Sequence, residues 1–449
     1  MKFINSGNVP VIKKQNIKMG LYLQTDKFKT NDKFEKAMKI VTGSDVDILV
    51  FPEFCYTPFS GEIKKLDLQN EFTMTWIFGK CNELSFSLGR AIVFSSVDKM
   101  GTIFSVFSNA FAQGNETTNQ LYLKQMATGK SPLGSNAYSS GLANSMFRPI
   151  IFKDSKIGLS ICYDCNHAIF SRIFGIQDVD IMINSTGGNV VWSKWYKYNK
   201  ARSIENHCYN FVTMGGNDLK NSYVFGFDPT GESMRFKNLM KKTERTNLSG
   251  TVYVFETNDP TESPEVDPSR DQIQTISKNQ DMFLPVGQVS ELIQSASKII
   301  PGIFKYPVGD KNLIICVVVG ADIFEPEQVL KLLYAPELKE IPEKRYLILN
   351  SYKDLTNEVY EDKLRLILKV RTVENFCAVI LESDMTDQCF QSGKNRNVQV
   401  VQSENGVWGL DSSRMTGPDA IWKNKPGMKA AWRKNFEWLI FNAYSFRER

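Results

Sequence analysis

The feature that most constrains this chain is that part of it is written twice. Residues 200–208 (KARSIENHC) align with residues 369–377 (KVRTVENFC): five of nine positions are identical, and three of the rest keep Ser/Thr, Ile/Val or Ala/Val character. Self-similarity of this kind marks a duplicated supersecondary unit. Two more blocks fall in the same order, Ile183-Asn184-Ser185 against Leu349-Asn350-Ser351 and residues 224–228 (VFGFD) against 407–411 (VWGLD). Setting Cys162-Tyr163-Asp164 against Gly320-Ala321-Asp322 extends the match upstream, and there the second copy has no thiol. Residues 281–449 are therefore expected to form a degenerate copy of the second half of the domain before them.

The duplicated unit sits in an α/β pattern. Residues 17–24 read as a strand, 32–41 carry apolar residues at helical spacing, and 47–51 (DILVF) form a strand that runs into Pro52-Glu53. Short apolar strands at 91–96, 104–111, 156–162 and 180–184 alternate with helical stretches near 74–85 and Trp192–Asn206, which predicts stacked layers of sheet and helix. Residues 258–280 hold Pro260, Pro264 and Pro268 among acidic and small polar residues, a composition that builds no core. They are expected to link a first domain, 1–257, to an accessory domain, 281–449.

Composition narrows the function classes. With 42% hydrophobic and 23% charged residues the chain is an ordinary globular one, so disorder is not its theme. Lys and Arg number 54 against 49 Asp and Glu, and a surplus of +5 is no electrostatic footprint for nucleic acid. The most apolar run, 313–319, falls far short of the roughly 18 residues a membrane helix needs. Residues 1–14 mix Lys, Asn and Pro without the apolar stretch of a signal peptide, and eight Cys is ordinary usage. Reduced thiols in a cytoplasmic protein, with no nucleic-acid or membrane partner, are the expectation.

Three reactive side chains follow apolar strands, an arrangement that holds a functional group rigidly at a sheet edge. Glu53 closes DILVFPE, where Pro52 ends the ladder; taken alone it reads equally well as a solvated acid. Lys124 follows Leu121-Tyr122-Leu123, and alone reads as a snorkelling lysine. Cys162 ends the run 157–161 before a helix that begins within 166–173, where backbone N–H groups and a helix dipole favour the thiolate; alone it reads as an inert buried thiol. Cys162 and Cys165 also make a CxxC, so a thioredoxin-like site stays open, but two His and no second CxxC argue against zinc. The same scarcity of His argues against a Cys-His or Ser-His-Asp apparatus, leaving a carboxylate as the better base for Cys162.

The blocks DILVFPE with Glu53, LYLK with Lys124 and GLSICYD with Cys162 resemble, in order and spacing, the three signature blocks of the nitrilase or carbon-nitrogen hydrolase superfamily. Residues 201–206 (ARSIEN) resemble its helix after the nucleophile, and 227–231 (FDPTG) its late strand turn, so the likeness covers about residues 15–257. It implies an α-β-β-α sandwich whose Cys-Glu-Lys triad cleaves non-peptide C–N bonds, most often in amides, with no metal or organic cofactor. Carried over by position, Cys162 would be the nucleophile, Glu53 the general base and then acid, and Lys124 with the backbone N–H of Tyr163 the oxyanion donors. The family also implies a homodimer or larger homo-oligomer paired through the helix after the nucleophile and the ARSIEN helix.

Two departures matter. Many members carry a second glutamate between the lysine and the cysteine, whereas residues 125–161 contain no Glu, and Asn166-His167-Ala168 stand where the family often has Phe-Pro-Glu. The first departure favours a rival reading, a pseudoenzyme that binds a ligand or partner; the intact triad favours catalysis, since a binding module has little need of a carboxylate, an ammonium and a thiol together. In the copy, Gly320 and the missing Glu and Lys blocks predict a catalytically silent half that either covers an open sheet or roofs the pocket. Residues 190–198 (VVWSKWYKY) are expected to bury aromatics at the subunit interface, and the loops 56–62, 128–140 and 187–192 to line the pocket.

Overall fold

A computed structural model describes residues 15–24, 45–53, 74–97, 102–126, 146–187, 192–215, 222–235, 237–238, 250–257, 272–274, 280–285, 289–352, 358–383, 387–393, 397–418, 420–421 and 430–447. The expected helix at 32–41 and the pocket loops 56–62, 128–140 and 188–191 lie outside them, as does most of the segment 258–280.

The first half holds two sheets face to face. One has seven strands, in the order Lys237–Asn238, Gly250–Glu256, Lys18–Gln24, Ile48–Val50, Ala91–Val97, Ile103–Ser108, Asn119–Leu123. The other has five: Tyr223–Phe227, Tyr209–Gly215, Ile181–Gly187, Ser155–Ile161, Ile150–Phe152. Both are largely buried on both faces, as sheets between layers must be. Polar ties also cross between them: Ser185 Oγ donates to the Phe51 carbonyl at 2.9 Å and Thr213 Oγ1 to the Tyr22 carbonyl at 2.7 Å. Helix α1 (Met74–Leu88) packs on the outer face of the first sheet, and α2 (Ala168–Ile176) and α3 (Trp192–Asn206) on that of the second. This is an α-β-β-α layering within a mixed α/β fold.

In the second half an eight-stranded sheet runs Gln272–Gln274, Val398–Val401, Gln388–Ser392, Ala378–Ser383, Lys344–Tyr352, Lys311–Val319, Ile303–Val308, Ser297–Ile300. Strand alternation gives it two buried faces. Leu313, Ile315, Leu347 and Leu349 pack on a three-stranded sheet of Met282–Pro285, Val407–Leu410 and Ser403–Glu404, with helix α4 (Val289–Ser295) beside it. Ile314, Cys316 and Ile348 point the other way, under α5 (Pro326–Leu333) and α6 (Glu358–Asn375), into an apolar core continuous with that of the first half. Helix α7 (Ala430–Phe441) and the turn Ala443–Phe446 close the layer.

The strand registers of the two halves coincide at the aligned residues. Ile157 pairs with Ile181 and Ile181 with Tyr209; their aligned counterparts Ile315, Leu347 and Ala378 pair in the same way. Left-handed backbone recurs at aligned positions as well, at Cys162 and Gly320 and at His207 and Phe376. One sequence block departs from this: Tyr223–Phe227 lies beside Tyr209–Gly215, but the strand beside Ala378–Ser383 is Gln388–Ser392, and Val407–Leu410 belongs to the small sheet. Three residues of the expected linker, Gln272–Gln274, form an edge strand parallel to Val398–Val401.

The helices settle two further expectations. The outer face of α2 and α3, assigned to pairing with a second copy, is covered by this chain's own α5, α6 and the turn 443–446. The described aromatics of 192–198 also make contacts within the chain. Trp192 stacks on Tyr223 at 5.2 Å and Tyr196 meets Phe225 and Phe227, so the helix buries them against its own sheet. No described helix is long and apolar enough to cross a membrane.

Candidate active site

Glu53, Lys124 and Cys162 come from three strand ends that the sandwich brings to one place. Glu53 follows Ile48–Val50 and Lys124 follows Asn119–Leu123, both in the seven-stranded sheet, while Cys162 follows Ser155–Ile161 in the facing sheet. All three are buried, at 2, 2 and 3% exposure. Lys124 Nζ donates to Glu53 Oε1 at 2.6 Å, and the other carboxylate oxygen accepts from the Gly187 backbone N–H at 3.0 Å. The same carboxylate acts on Cys162, pushing its thiol up.

The electrostatics correct one expectation. Cys162 was expected to favour the thiolate, but burial, and then the neighbouring Glu53 carboxylate, push its thiol well above the ordinary range; Lys124 opposes this without reversing it. The helix begins at Ala168, inside the expected range, and Cys162–Asn166 form a 3₁₀ turn ahead of it. Burial by itself would lower Lys124, but Glu53 and then Cys162 and Asp164 outweigh it and hold the ammonium above its usual value. The resting arrangement is a neutral thiol beside an ammonium–carboxylate pair.

Cys162 has φ +47, a left-handed conformation that costs a side-chain-bearing residue of order 1–3 kcal/mol. That strain puts the thiol at a sharp corner between strand and turn, and the surroundings must hold it. Asp164 contributes: it accepts from Tyr122 Oη at 3.0 Å, from the Gln125 N–H at 3.1 Å and from the Met126 N–H at 2.7 Å. Those donors bracket Lys124 in sequence, so one buried carboxyl ties the cysteine turn to the lysine segment. Burial pushes Asp164 up to about 7 despite donors and an ammonium that favour ionisation. Its role was not foreseen; the only sequence signal was its place in Cys-Tyr-Asp.

Tyr163 lies in the same turn, half-buried, its ring edge-on to His167 at 5.1 Å. Cys165 is a separate buried free thiol, also pushed up by burial.

A buried carboxylate beside an ammonium and a thiol, held by facing sheets under helices, is a set of groups able to move a proton without a histidine. The carbon-nitrogen hydrolase family model matches residues 16–236, and this part of the chain is a carbon-nitrogen hydrolase domain. Solved structures similar to the chain include a carbon-nitrogen hydrolase from Helicobacter pylori G27, 16% identical, covering 54% of this chain and 89% of that one at a TM-score of 0.40. An amidase from Nesterenkonia sp. is 12% identical, with 54% and 89% covered and a TM-score of 0.41. A CN-hydrolase superfamily protein from Xanthomonas campestris, 18% identical, covers 49% and 85% at 0.36. None of the curated proteins searched matches the chain.

Proposed function

We propose that this protein hydrolyses a non-peptide C–N bond, that of a small amide, through a thioester on Cys162. The observation that carries the reading is the buried pair of Glu53 with the Lys124 ammonium at 2.6 Å, brought from the facing sheet to Cys162, whose thiol the same carboxylate pushes up. As Cys162 Sγ attacks the carbonyl carbon, its proton passes to Glu53 and the carbonyl oxygen takes up negative charge. Lys124 and the N–H of Tyr163 are the donors for that oxyanion, and one such donor contributes roughly 3 kcal/mol. Collapse breaks the C–N bond and Glu53 returns the proton to the leaving amine. Water then attacks the thioester, losing a proton to Glu53, and the acid departs as the thiol is reprotonated. A thiol held neutral at rest suits this cycle, because attack and proton transfer are coupled through one base. The Glu-Lys-Cys triad needs neither metal nor organic cofactor for these steps.

The reading extends to the rest of the chain. Residues 281–449 are a degenerate, catalytically silent copy of the second half of the first domain, supported by the coincident registers and left-handed positions. The helix face used for pairing is taken up internally, so any homo-oligomer forms through another surface.

The test is limiting iodoacetamide labelling at neutral pH, mapped by peptide mass, with a screen of small amides. Glu53→Gln is expected to alter the rate of Cys162 labelling and to slow any amide turnover by 10²-fold or more, the usual worth of a general base. If Cys162 reacts no faster than Cys165, or the variant changes nothing, a pseudoenzyme with a binding pocket replaces the hydrolase.

A further inference from the structure

The duplicated motif places Arg202 and Glu205 on α3 at the same positions as Arg371 and Glu374 on α6, and the four side chains meet inside the helix layer, all buried. Each arginine holds the glutamate three residues along its own helix and the glutamate of the other half. Arg202 pairs with Glu205 and, through Nη2, with Glu374 at 2.5 Å. Arg371 pairs with Glu374 through Nη1, and its Nη2 lies 2.8 Å from Glu205 Oε1, a contact of charges whose N–H is not aimed at the oxygen. Each Nε then donates to a carbonyl in its own half's turn: Arg202 to Cys165 at 3.0 Å, Arg371 to Ile323 at 3.1 Å. Cys165 and Ile323 are themselves aligned residues. Contacts in which i meets j and j meets i are the signature of a twofold interface between identical subunits. Here one chain makes them with itself.

Only one of the two turns carries a thiol. Arg202 grips the turn Cys162–Asn166 from below, and its guanidinium, a planar fork with fixed donor directions, is held in place by one carboxylate from each half. Cys162, at the head of that turn, is in a strained conformation that relaxes if the turn is released.

We propose that residues 281–449 serve as a built-in partner half for the active site, with Glu374 as the positioning residue that fixes Arg202, and through it the turn that presents Cys162 to Glu53. The proposal rests on the reading of Cys162 as nucleophile and Glu53 as its base. It makes the silent half a condition of reactivity at a distance, without contact with substrate.

The experiment follows iodoacetamide modification of Cys162 in the full chain from pH 6 to 10, with thermal unfolding of every variant. Glu53→Gln reports whether the thiol depends on its base. Glu374→Gln is expected to slow modification near pH 7 by about tenfold, since small misplacement of a reacting group carries such penalties. In the double variant the two effects should not multiply, because a displaced thiol no longer feels Glu53. Glu327→Gln is the interface control: Glu327 binds Arg172 at 2.9 Å in the same helix layer, and that arginine donates to the Glu205 carbonyl, not to the turn. Its Cys162 rate should stay at the wild-type value. If Glu374→Gln does not fold, Glu374→Asp, which keeps the charge but shortens its reach, takes its place. The proposal is overturned if the Glu374 variant stays within twofold of wild type while Glu53→Gln changes the rate, if Glu327→Gln slows Cys162 equally, or if the double variant multiplies the single effects. An unresponsive Glu53→Gln overturns the hydrolase reading instead.

Discussion

The corners at Cys162 and Gly320 have nearly the same backbone and opposite surroundings. Each ends a parallel strand, turns left-handed at φ +47 and +52, and enters a five-residue 3₁₀ turn before a helix. Yet Ile161 is fully buried while its counterpart Val319 is 64% exposed, and Asp164 is buried while Asp322 faces solvent. The difference lies in the facing sheet. In the first half it delivers Glu53 and Lys124 to the corner; in the second, a three-stranded sheet packs lower on the strands and leaves the corner open. The corner supplies a geometry, and the chemistry arrives from the opposite layer. Glycine at 320 fits this: with no reactive side chain to present, the position keeps the turn and sheds its strain.

The comparison is broken most forcefully at Lys124. Lys124→Met leaves Glu53 buried without its cation, and a buried pair stripped of one partner loses about 3–5 kcal/mol, to be read from urea unfolding at pH 8. A loss below about 1 kcal/mol would mean that Glu53 is not an ionised member of the closed corner, against the measured cost of orphaned buried charge.

Next in size is a pH effect at Asp164. Its folded value of about 7, raised by burial from 3.8, means that the native state keeps a proton the unfolded chain releases. Between those values stability should fall as pH rises, and Asp164→Asn should flatten that fall. Urea titrations from pH 4 to 8 check this, with Asp322→Asn at the open corner as the comparison variant. A slope identical in Asp164→Asn and wild type would contradict the assignment.

The smallest effects concern strain. A Cβ at Gly320 meets nothing closer than the Tyr352 ring at 4.0 Å, so Gly320→Ala should lose only the left-handed penalty, about 1 kcal/mol. By the same reasoning Cys162→Gly should be more stable than Cys162→Ala by about 1 kcal/mol, in chemical denaturation. Equal stabilities would show that the cysteine corner is not strained.

Much of this was legible because short apolar strands advertise themselves. The helix Trp192–Asn206 and the strands around 91–97, 155–161 and 181–187 follow from periodicity, and the reactive residues from the strands they terminate. The duplicated nonapeptide was visible too, and its identical positions include Arg and Glu in both copies. What could not be read was that these charges meet. Arg202 and Glu374 are far apart in the chain, and no local rule says that two copies of a helix will pack on each other through the same face. The state of Cys162 was misjudged for a related reason: a strand-to-helix position speaks for the thiolate, while burial and a facing carboxylate, both tertiary, speak more strongly against it.

The sequence by itself determined the α/β layers, the residues with nucleophilic, basic and cationic side chains at strand ends, and a second half with glycine, Gly320, at the position aligned with Cys162. These depend on local pattern and residue type, which the chain carries wherever it goes. Only the tertiary structure decided that Glu53 meets Lys124 beside Cys162, that the second half covers α2 and α3, and that Glu374 closes on Arg202. Those are relations between segments distant in sequence, set by which buried faces and charges satisfy one another once the layers stack.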